Sequence, residues 1–128
     1  FIAYNGYMKT IMFTGHRNSI TEPSNLDCIA NIYDAAVWIH GGAKGFDQQV
    51  ESFAKRHNIQ TIIFTPDYVK YPFKQAPIIR NKEMLNICDV VVACYDGRNY
   101  GGTHFVVQEA RRLKKKLIIF QPSGRISK

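Results

Sequence analysis

Three short stretches of the chain combine glycine with residue types that bind anions. They are residues 14–17 (TGHR), 41–47 (GGAKGFD) and 95–104 (YDGRNYGGTH). Glycine lets a ligand approach the backbone closely, and the unpaired N–H groups at the start of a helix attract negative charge. The chemistry that these residue types favour is therefore the binding of a phosphorylated ligand.

The first stretch places an arginine two residues after a glycine. Gly15 allows a turn that exposes backbone amides, and His16 is able to donate a hydrogen bond to a phosphate or a hydroxyl group. Arg17 is suited to hold a phosphate through two parallel hydrogen bonds. The alternative is an ordinary turn between a strand and a helix, with Arg17 in solvent.

The second stretch is a glycine-rich loop between an apolar run and a helical pattern. Its glycines permit backbone angles that other residues avoid. Asp47 is placed to accept a hydrogen bond from a ribose hydroxyl or an amine, or to favour the helix start. The spacing matches neither a Walker motif nor the G-x-G-x-x-G fingerprint, and a tight turn with a helix cap is the alternative. The candidate ligand-binding residues of this loop are Gly41, Gly42, Ala43, Lys44, Gly45 and Asp47.

Two further segments complete the predicted site. Before the last helical pattern, two glycines and Thr103, the expected N-cap, offer a second anion site or form only a turn. The long segment before Pro77 carries aromatic side chains that either stack on a base or pack against the domain. In the first turn of the next helix, Arg80 either reaches a phosphate or is exposed. The candidate ligand-binding residues of these segments are Arg80, Asn81, Gly101, Gly102 and Thr103.

Alternating strands and helices must position these segments. Five apolar runs have the length and composition of buried parallel strands, at residues 10–14, 37–40, 61–65, 90–94 and 117–120. The pattern predicts an α/β fold, namely a single doubly wound, Rossmann-like domain with a mostly parallel five-stranded sheet and helices on both faces. A strand order of 3-2-1-4-5 brings the loops after strands one, two and four to the sheet edge where ligands bind.

The length and composition fit one soluble domain. The 128 residues carry a net charge of +7, which favours anionic partners, and no apolar run is long enough to cross a membrane. Three cysteines without a C-x-x-C pair predict neither a disulfide scaffold nor a metal site, and they favour the cytoplasm. We expect no cofactor. Residues 1–7 are expected to be an N-terminal extension or a cloning remnant, and residues 8–128 the domain.

In their order along the chain, these motifs resemble the SLOG superfamily of Rossmann-like nucleotide-binding domains. The resemblance spans about residues 8–122 and also includes an AP-x-x-RN-x-x-M stretch from Ala76 to Met84. The superfamily takes in the Smf/DNA-processing protein A and the LOG phosphoribohydrolases, and the chain looks most like its small bacterial and phage members, called YspA-like or YpsA-like. The resemblance implies a nucleotide or nucleotide derivative bound at the carboxyl edge of the sheet. It assigns this role to Gly15, Arg17, Gly41, Gly42, Gly45, Asp47, Arg80, Asn81, Gly101, Gly102 and Thr103.

The resemblance leaves three functions open: a nucleotide-binding sensor or carrier, a phosphoribohydrolase, and a protein that binds single-stranded nucleic acid. We expect a binding protein rather than an enzyme. Val106 stands where the hydrolase motif P-G-G-x-G-T-x-x-E has its acid, so another carboxylate, Asp47 or Glu109, would have to replace it. The candidate catalytic residues are therefore Arg80, Asp47 and Glu109. The cationic residues 111–116 favour either a solvated helix end or a nucleic-acid patch. Members of this group commonly self-associate, and we expect a homodimer.

Overall fold

The computed structural model describes residues 8–126, which form a parallel sheet covered by helices on both faces. The main sheet has the order β4-β3-β1-β5-β6, and each neighbouring pair in it is parallel. The predicted α/β fold and its strand order are therefore confirmed. The elements are β1 (Lys9–Gly15), β2 (Ser19–Ile20), α1 (Pro23–Ile32), β3 (Ala36–His40), α2 (Phe46–Arg56), β4 (Thr61–Ile63), α3 (Ala76–Ile87), β5 (Val90–Cys94), α4 (Gly102–Arg112), β6 (Lys116–Phe120) and β7 (Gly124–Arg125).

The central strand β1 sends alternate side chains into two apolar layers. On one face, Ile11 and Phe13 pack in a cluster with buried side chains of α1 and α2. On the other face, Met12 packs with buried side chains of α3 and α4. Because successive side chains of a strand point to opposite faces, a sheet covered on both sides requires the continuous apolar run that β1 shows.

The winding of the sheet reverses at β1. The chain proceeds from β1 to β3 and β4 on one side, and then crosses to β5 and β6 on the other side. The carboxyl ends of β1, β3 and β5, at Gly15, His40 and Cys94, therefore lie at one edge of the sheet. Open α/β sheets bind their ligands at such a switch point.

A two-stranded antiparallel ribbon, which the sequence did not predict, joins the segment after β1 to the end of the described chain. Ser19 pairs with Arg125, and Ile20 pairs with Gly124. Strands of two residues have no hydrophobic period, so the apolar pattern carries no signal for them. The ribbon holds residues 121–126 beside the loop that follows β1.

The start of α1 has no side-chain cap. The helix begins at Pro23 with Glu22 as its N-cap, and none of the described side chains caps it. Proline suits this first turn because its missing N–H has no intrahelical partner there. No helix between residues 8 and 126 is long and apolar enough to span a bilayer. The expected N-terminal extension, residues 1–7, lies outside the described residues.

Gly15 is required by the packing of α2 against the end of β1. A Cβ atom at this position would lie 2.6 Å from Cβ of Phe46, the first residue of α2. Phe46 is fully buried, and its ring lies 6.1 Å from the ring of Phe13. The start of α2 is therefore held in the core, and it leaves no space for a larger residue at position 15.

We expect Gly15→Ala to lower the free energy of unfolding by about 1–3 kcal/mol, the usual cost of overpacking. Gly124→Ala is the matched control, because a Cβ there would meet no atom closer than 3.8 Å. Urea denaturation, followed through the fluorescence of the buried Trp38, measures both variants. Equal stability of the two variants would show that α2 shifts without cost, contrary to this packing argument.

Candidate functional site

A cleft of about 270 Å³ lies at the carboxyl ends of β1, β3 and β5. Most of the residues predicted to bind a ligand line it, so the fold brings together stretches that are distant in sequence. These lining residues are Gly15, His16, Arg17, Gly41, Ala43, Asp47, Arg80, Asn81, Gly101, Gly102 and Thr103. The lining also includes Phe13, Thr14, Met84 and Arg98, which were not among the predicted ligand-binding residues.

Backbone contacts tie the loop after β1 to the glycine-rich loop after β3. Arg17 and Gly45 form an isolated antiparallel bridge, and the N–H of Asn18 donates to the carbonyl of Lys44 over 3.1 Å. Gly45 is buried with a φ of 98°, and a Cβ there would lie 2.7 Å from the backbone nitrogen of Asn18. Gly45 thus allows the two loops to touch, while the side chain of Arg17 stays exposed at the cleft.

The glycine-rich loop uses its own amide groups internally. Oδ2 of Asp47 accepts hydrogen bonds from the N–H groups of Gly41, at 3.2 Å, and Ala43, at 3.0 Å. The N–H of Gly42 donates to Nδ1 of His40 over 3.0 Å. The N–H groups of Gly41, Gly42 and Ala43 are therefore engaged, because the loop folds around a carboxylate of its own chain.

His40 anchors this loop to β4 and α2. Because its Nδ1 accepts from Gly42, its Nε2 carries the proton and donates to Glu51 over 2.7 Å. Thr61 also donates to the Glu51 carboxylate, at 3.0 Å. Burial raises the pKa of Glu51, but the hydrogen bonds from His40 and Thr61, together with the electrostatic effects of His40 and Lys55, bring the pKa below its ordinary value. Sequence analysis missed this role, although a histidine at the end of a strand and before two glycines was the available signal.

Asp47 also presents an acceptor that the protein does not use. Its Oδ1 is buried and has no hydrogen-bond partner among the described residues, and the side chain lines the cleft. Burial raises the pKa of Asp47, whereas His40, the loop amides and Arg80 act in the opposite direction. An unpaired buried carboxylate oxygen is costly, so this atom is suited to a donor group of a ligand.

Arg80 fills the space that Gly41 leaves. Its Nη1 donates to the carbonyls of Gly41, at 2.9 Å, and Phe64, at 3.1 Å. A Cβ on residue 41 would lie 2.1 Å from that nitrogen. Burial lowers the pKa of Arg80, while Asp47 raises it. The Nε of Arg80 is buried without a partner among the described residues, and the residue lines the cleft.

The N-terminus of α4 opens onto the cleft. Its N-cap is Gly101, with a φ of 93°, instead of the expected Thr103, and no described side chain caps the helix. A Cβ on Gly101 would meet no atom within 4 Å. Thr103 is buried in the first turn of α4, with its Oγ1 3.4 Å from Oγ1 of Thr14. Unlike the loop after β3, this helix start keeps its first N–H groups for a ligand.

A cluster of titratable side chains borders the cleft after β5. Asp96 accepts hydrogen bonds from Nε and Nη2 of Arg98, and Nε2 of the buried His16 lies 3.0 Å from Oδ1 of Asp96. The hydrogen bonds from Arg98 lower the pKa of Asp96, and burial lowers the pKa of His16. Sequence analysis missed Arg98, although an arginine within a glycine-rich stretch was a usable signal.

Four of the predicted site residues lie outside the cleft. Gly42 and Lys44 are exposed and Gly45 is buried, and none of them contributes to its lining. Glu109 lines a separate groove between α3 and α4, with its Oε1 2.8 Å from Nη2 of Arg112. Within residues 8–126, no group of three or more His, Cys, Asp or Glu side chains is arranged to hold a metal ion.

A solved structure of another protein has a similar fold. No protein-family model matches the sequence, and no curated protein matches it. The structure is similar to the X-ray structure of DNA processing protein A (DprA) from Streptococcus pneumoniae, with a TM-score of 0.69 and 16% sequence identity. The similar region covers 88% of this chain and 50% of that one, so this chain spans about half the length of its neighbour. The chain therefore shares a Rossmann-like fold with DNA processing protein A, which confirms the resemblance at the level of the fold.

Proposed function

We propose that the chain binds a nucleotide or a nucleotide-derived phosphorylated ligand in the cleft, as a sensor or carrier. The observation that carries this proposal is the presence, in one cleft, of an open helix start at α4 and a buried, unpaired acceptor on Asp47. An open helix start favours a phosphate, and a carboxylate oxygen favours a sugar hydroxyl. A nucleotide carries both groups.

The charge and size of the cleft support a single nucleotide. Arg17 and Arg98 both line it, and Asn81 lies beside the α4 start, with its Nδ2 4.0 Å from the Cβ position of Gly102. The volume of about 270 Å³ is just below the range for small-molecule sites, which begins at roughly 300 Å³. The cytoplasmic location and the homodimer stay predictions.

Arg17→Ala should weaken the binding of nucleoside monophosphates tenfold or more and leave the binding of nucleosides unchanged, because a charged hydrogen bond contributes about 1.5–3 kcal/mol. Lys44→Ala is the matched control, since it removes the same charge from the neighbouring loop but outside the cleft. Isothermal titration calorimetry compares each nucleoside with its monophosphate. A phosphate role for Arg17 is contradicted by equal losses for both ligands, or by an equal effect of Lys44→Ala.

Asp47→Asn should remove a preference for ribose hydroxyl groups. Asparagine keeps one oxygen for the loop amides but places an NH₂ group where Oδ1 stands. We expect the wild type to bind ribonucleoside monophosphates about tenfold tighter than their 2′,3′-dideoxy counterparts, and the variant to bind both alike. Asp34→Asn, at an exposed carboxylate before β3, is the control. A variant that folds and keeps the full preference would refute this role for Asp47.

Hydrolysis of an N-glycosidic bond has less support from the geometry. Glu109 lies outside the cleft, and Arg80 is held by two backbone carbonyls. Asp47 is left as the carboxylate that the reaction needs. The titrated samples, analysed for free base, test this alternative directly. Base release by the wild type that Asp47→Asn abolishes would replace the binding proposal with a hydrolase.

Single-stranded nucleic acid is a second candidate ligand. It is favoured by the net charge of +7 and by the similarity to a protein whose name refers to DNA processing. If nucleotide binding is the function, an oligothymidylate will displace a fluorescent nucleoside monophosphate from the cleft no more tightly, per dinucleotide unit, than a 5′-phosphorylated thymidine dinucleotide does. Displacement that weakens steeply as salt is added, with log affinity linear in log salt concentration, would favour the nucleic-acid function. Fluorescence anisotropy measures both quantities.

A further inference from the structure

A second cleft, of about 610 Å³, adjoins the candidate site. Arg17 and Arg98 line both clefts, so the two spaces meet at these two side chains. The second cleft is otherwise lined by Ser19, Asp96, Tyr100, Gln121, Pro122, Ser123, Gly124 and Arg125. Its wall comes from the ribbon of β2 and β7, which the sequence did not predict.

The ribbon gives this wall a fixed position. Beyond the pairing of Ser19 with Arg125, the N–H of Ser123 donates to the carbonyl of Ile20 over 2.8 Å, and the N–H of Ile126 donates to the carbonyl of Asn18 over 2.8 Å. These bonds bring the cationic Arg125 to the same cleft as Arg17. The end of the described chain thus supplies a surface that faces the junction between the clefts.

The junction has the charge that a bridging phosphate requires. The hydrogen bonds from Arg98 to Asp96 use Nε and Nη2, and Nη1 of Arg98 has no partner among the described residues. Arg17 is exposed at the same place. With Arg125, three guanidinium groups line the second cleft against one carboxylate, that of Asp96. Arginine pairs are suited to phosphate oxygens through parallel hydrogen bonds.

Tyr100 provides an aromatic surface in the second cleft. Its side chain is 64% exposed, and the guanidinium of Arg98 lies 5.5 Å from the centre of its ring. An exposed tyrosine beside an arginine is a common platform for a nucleobase, because every base offers a π-face for stacking. The second cleft therefore combines a group that suits a base with groups that suit a phosphate.

We infer that the ligand has two nucleoside units joined through phosphate. One unit occupies the candidate site, the bridging phosphate lies between Arg17 and Arg98, and the second nucleoside extends over Tyr100 towards Arg125. This inference rests on the proposed function, since it extends a nucleotide that is already in the first cleft. The first cleft suits one nucleotide, and the second has more than enough room for another nucleoside.

The test compares nucleoside monophosphates with the corresponding 5′-phosphorylated dinucleotides by calorimetry. The wild type should bind the dinucleotides about tenfold tighter or more, the effect of one stacked base and one further phosphate contact. Tyr100 and Arg125 lie outside the first cleft, so Tyr100→Ala and Arg125→Ala should remove this gain and leave monophosphate affinity unchanged. Tyr100→Phe should keep the gain because it retains the ring, and Arg111→Ala, at an exposed cation outside both clefts, controls for lost charge.

The possible results separate this inference from the proposed function. Monophosphate binding without a gain for dinucleotides would overturn the inference and leave the proposed function intact. A gain that persists in both Tyr100→Ala and Arg125→Ala would also overturn it. An oligothymidylate contains several overlapping dinucleotide sites, and their number alone raises its apparent affinity. If it binds more tightly than this number explains, the ligand is a nucleic-acid strand, and the inference is overturned as well. If neither ligand binds, the proposed function itself fails.

Discussion

The buried carboxylate of Asp47 determines the shape of the candidate site. A charge in a protein interior is tolerated when hydrogen bonds and opposite charge surround it. The amides of Gly41 and Ala43 supply the hydrogen bonds, and Arg80 lies near enough to act on the pKa of the carboxylate. Because Arg80 in turn holds the carbonyls of Gly41 and Phe64, one buried charge fixes the loop after β3 relative to both α2 and α3.

This arrangement makes the two glycine-rich loops at the cleft unequal, although the helices that follow them, α2 and α4, both begin without a side-chain cap among the described residues. The amides of the loop before α2 donate hydrogen bonds to Asp47 and His40. The negative charge of Asp47 also opposes any phosphate placed there. The start of α4 has no described side-chain cap, and Arg98 borders it. In the proposed function, these charges orient the nucleotide with its phosphate at α4 and its sugar towards Asp47. Two glycine-rich loops of similar composition thus have opposite roles.

The sequence predicted the fold well, and most of the residues that it singled out line one cleft, because both depend on patterns within short segments. Apolar runs define the strands, and parallel strands with alternating helices bring their loops to one edge. The roles of individual glycines were not accessible in the same way. Gly15 was interpreted as a turn that exposes amides and Gly41 as a site of ligand approach, yet the atoms that need the space belong to Phe46 and Arg80. A sequence shows that a side chain is missing, but it does not show which neighbour occupies the space.

The ribbon of β2 and β7 shows a second limit of prediction from sequence, because its formation depends on the rest of the fold. An isolated pair of two-residue strands is not stable in water, and neither strand has a local signature. The ribbon forms because the main sheet holds Ser19 close to the segment of Arg125, although more than a hundred positions separate them in sequence. Its pairing is a consequence of the tertiary fold, so no local sequence pattern predicts it. The same dependence places Arg125 at the second cleft. Any change that loosens the contact between the loop after β1 and α2 would therefore also move this distant cation.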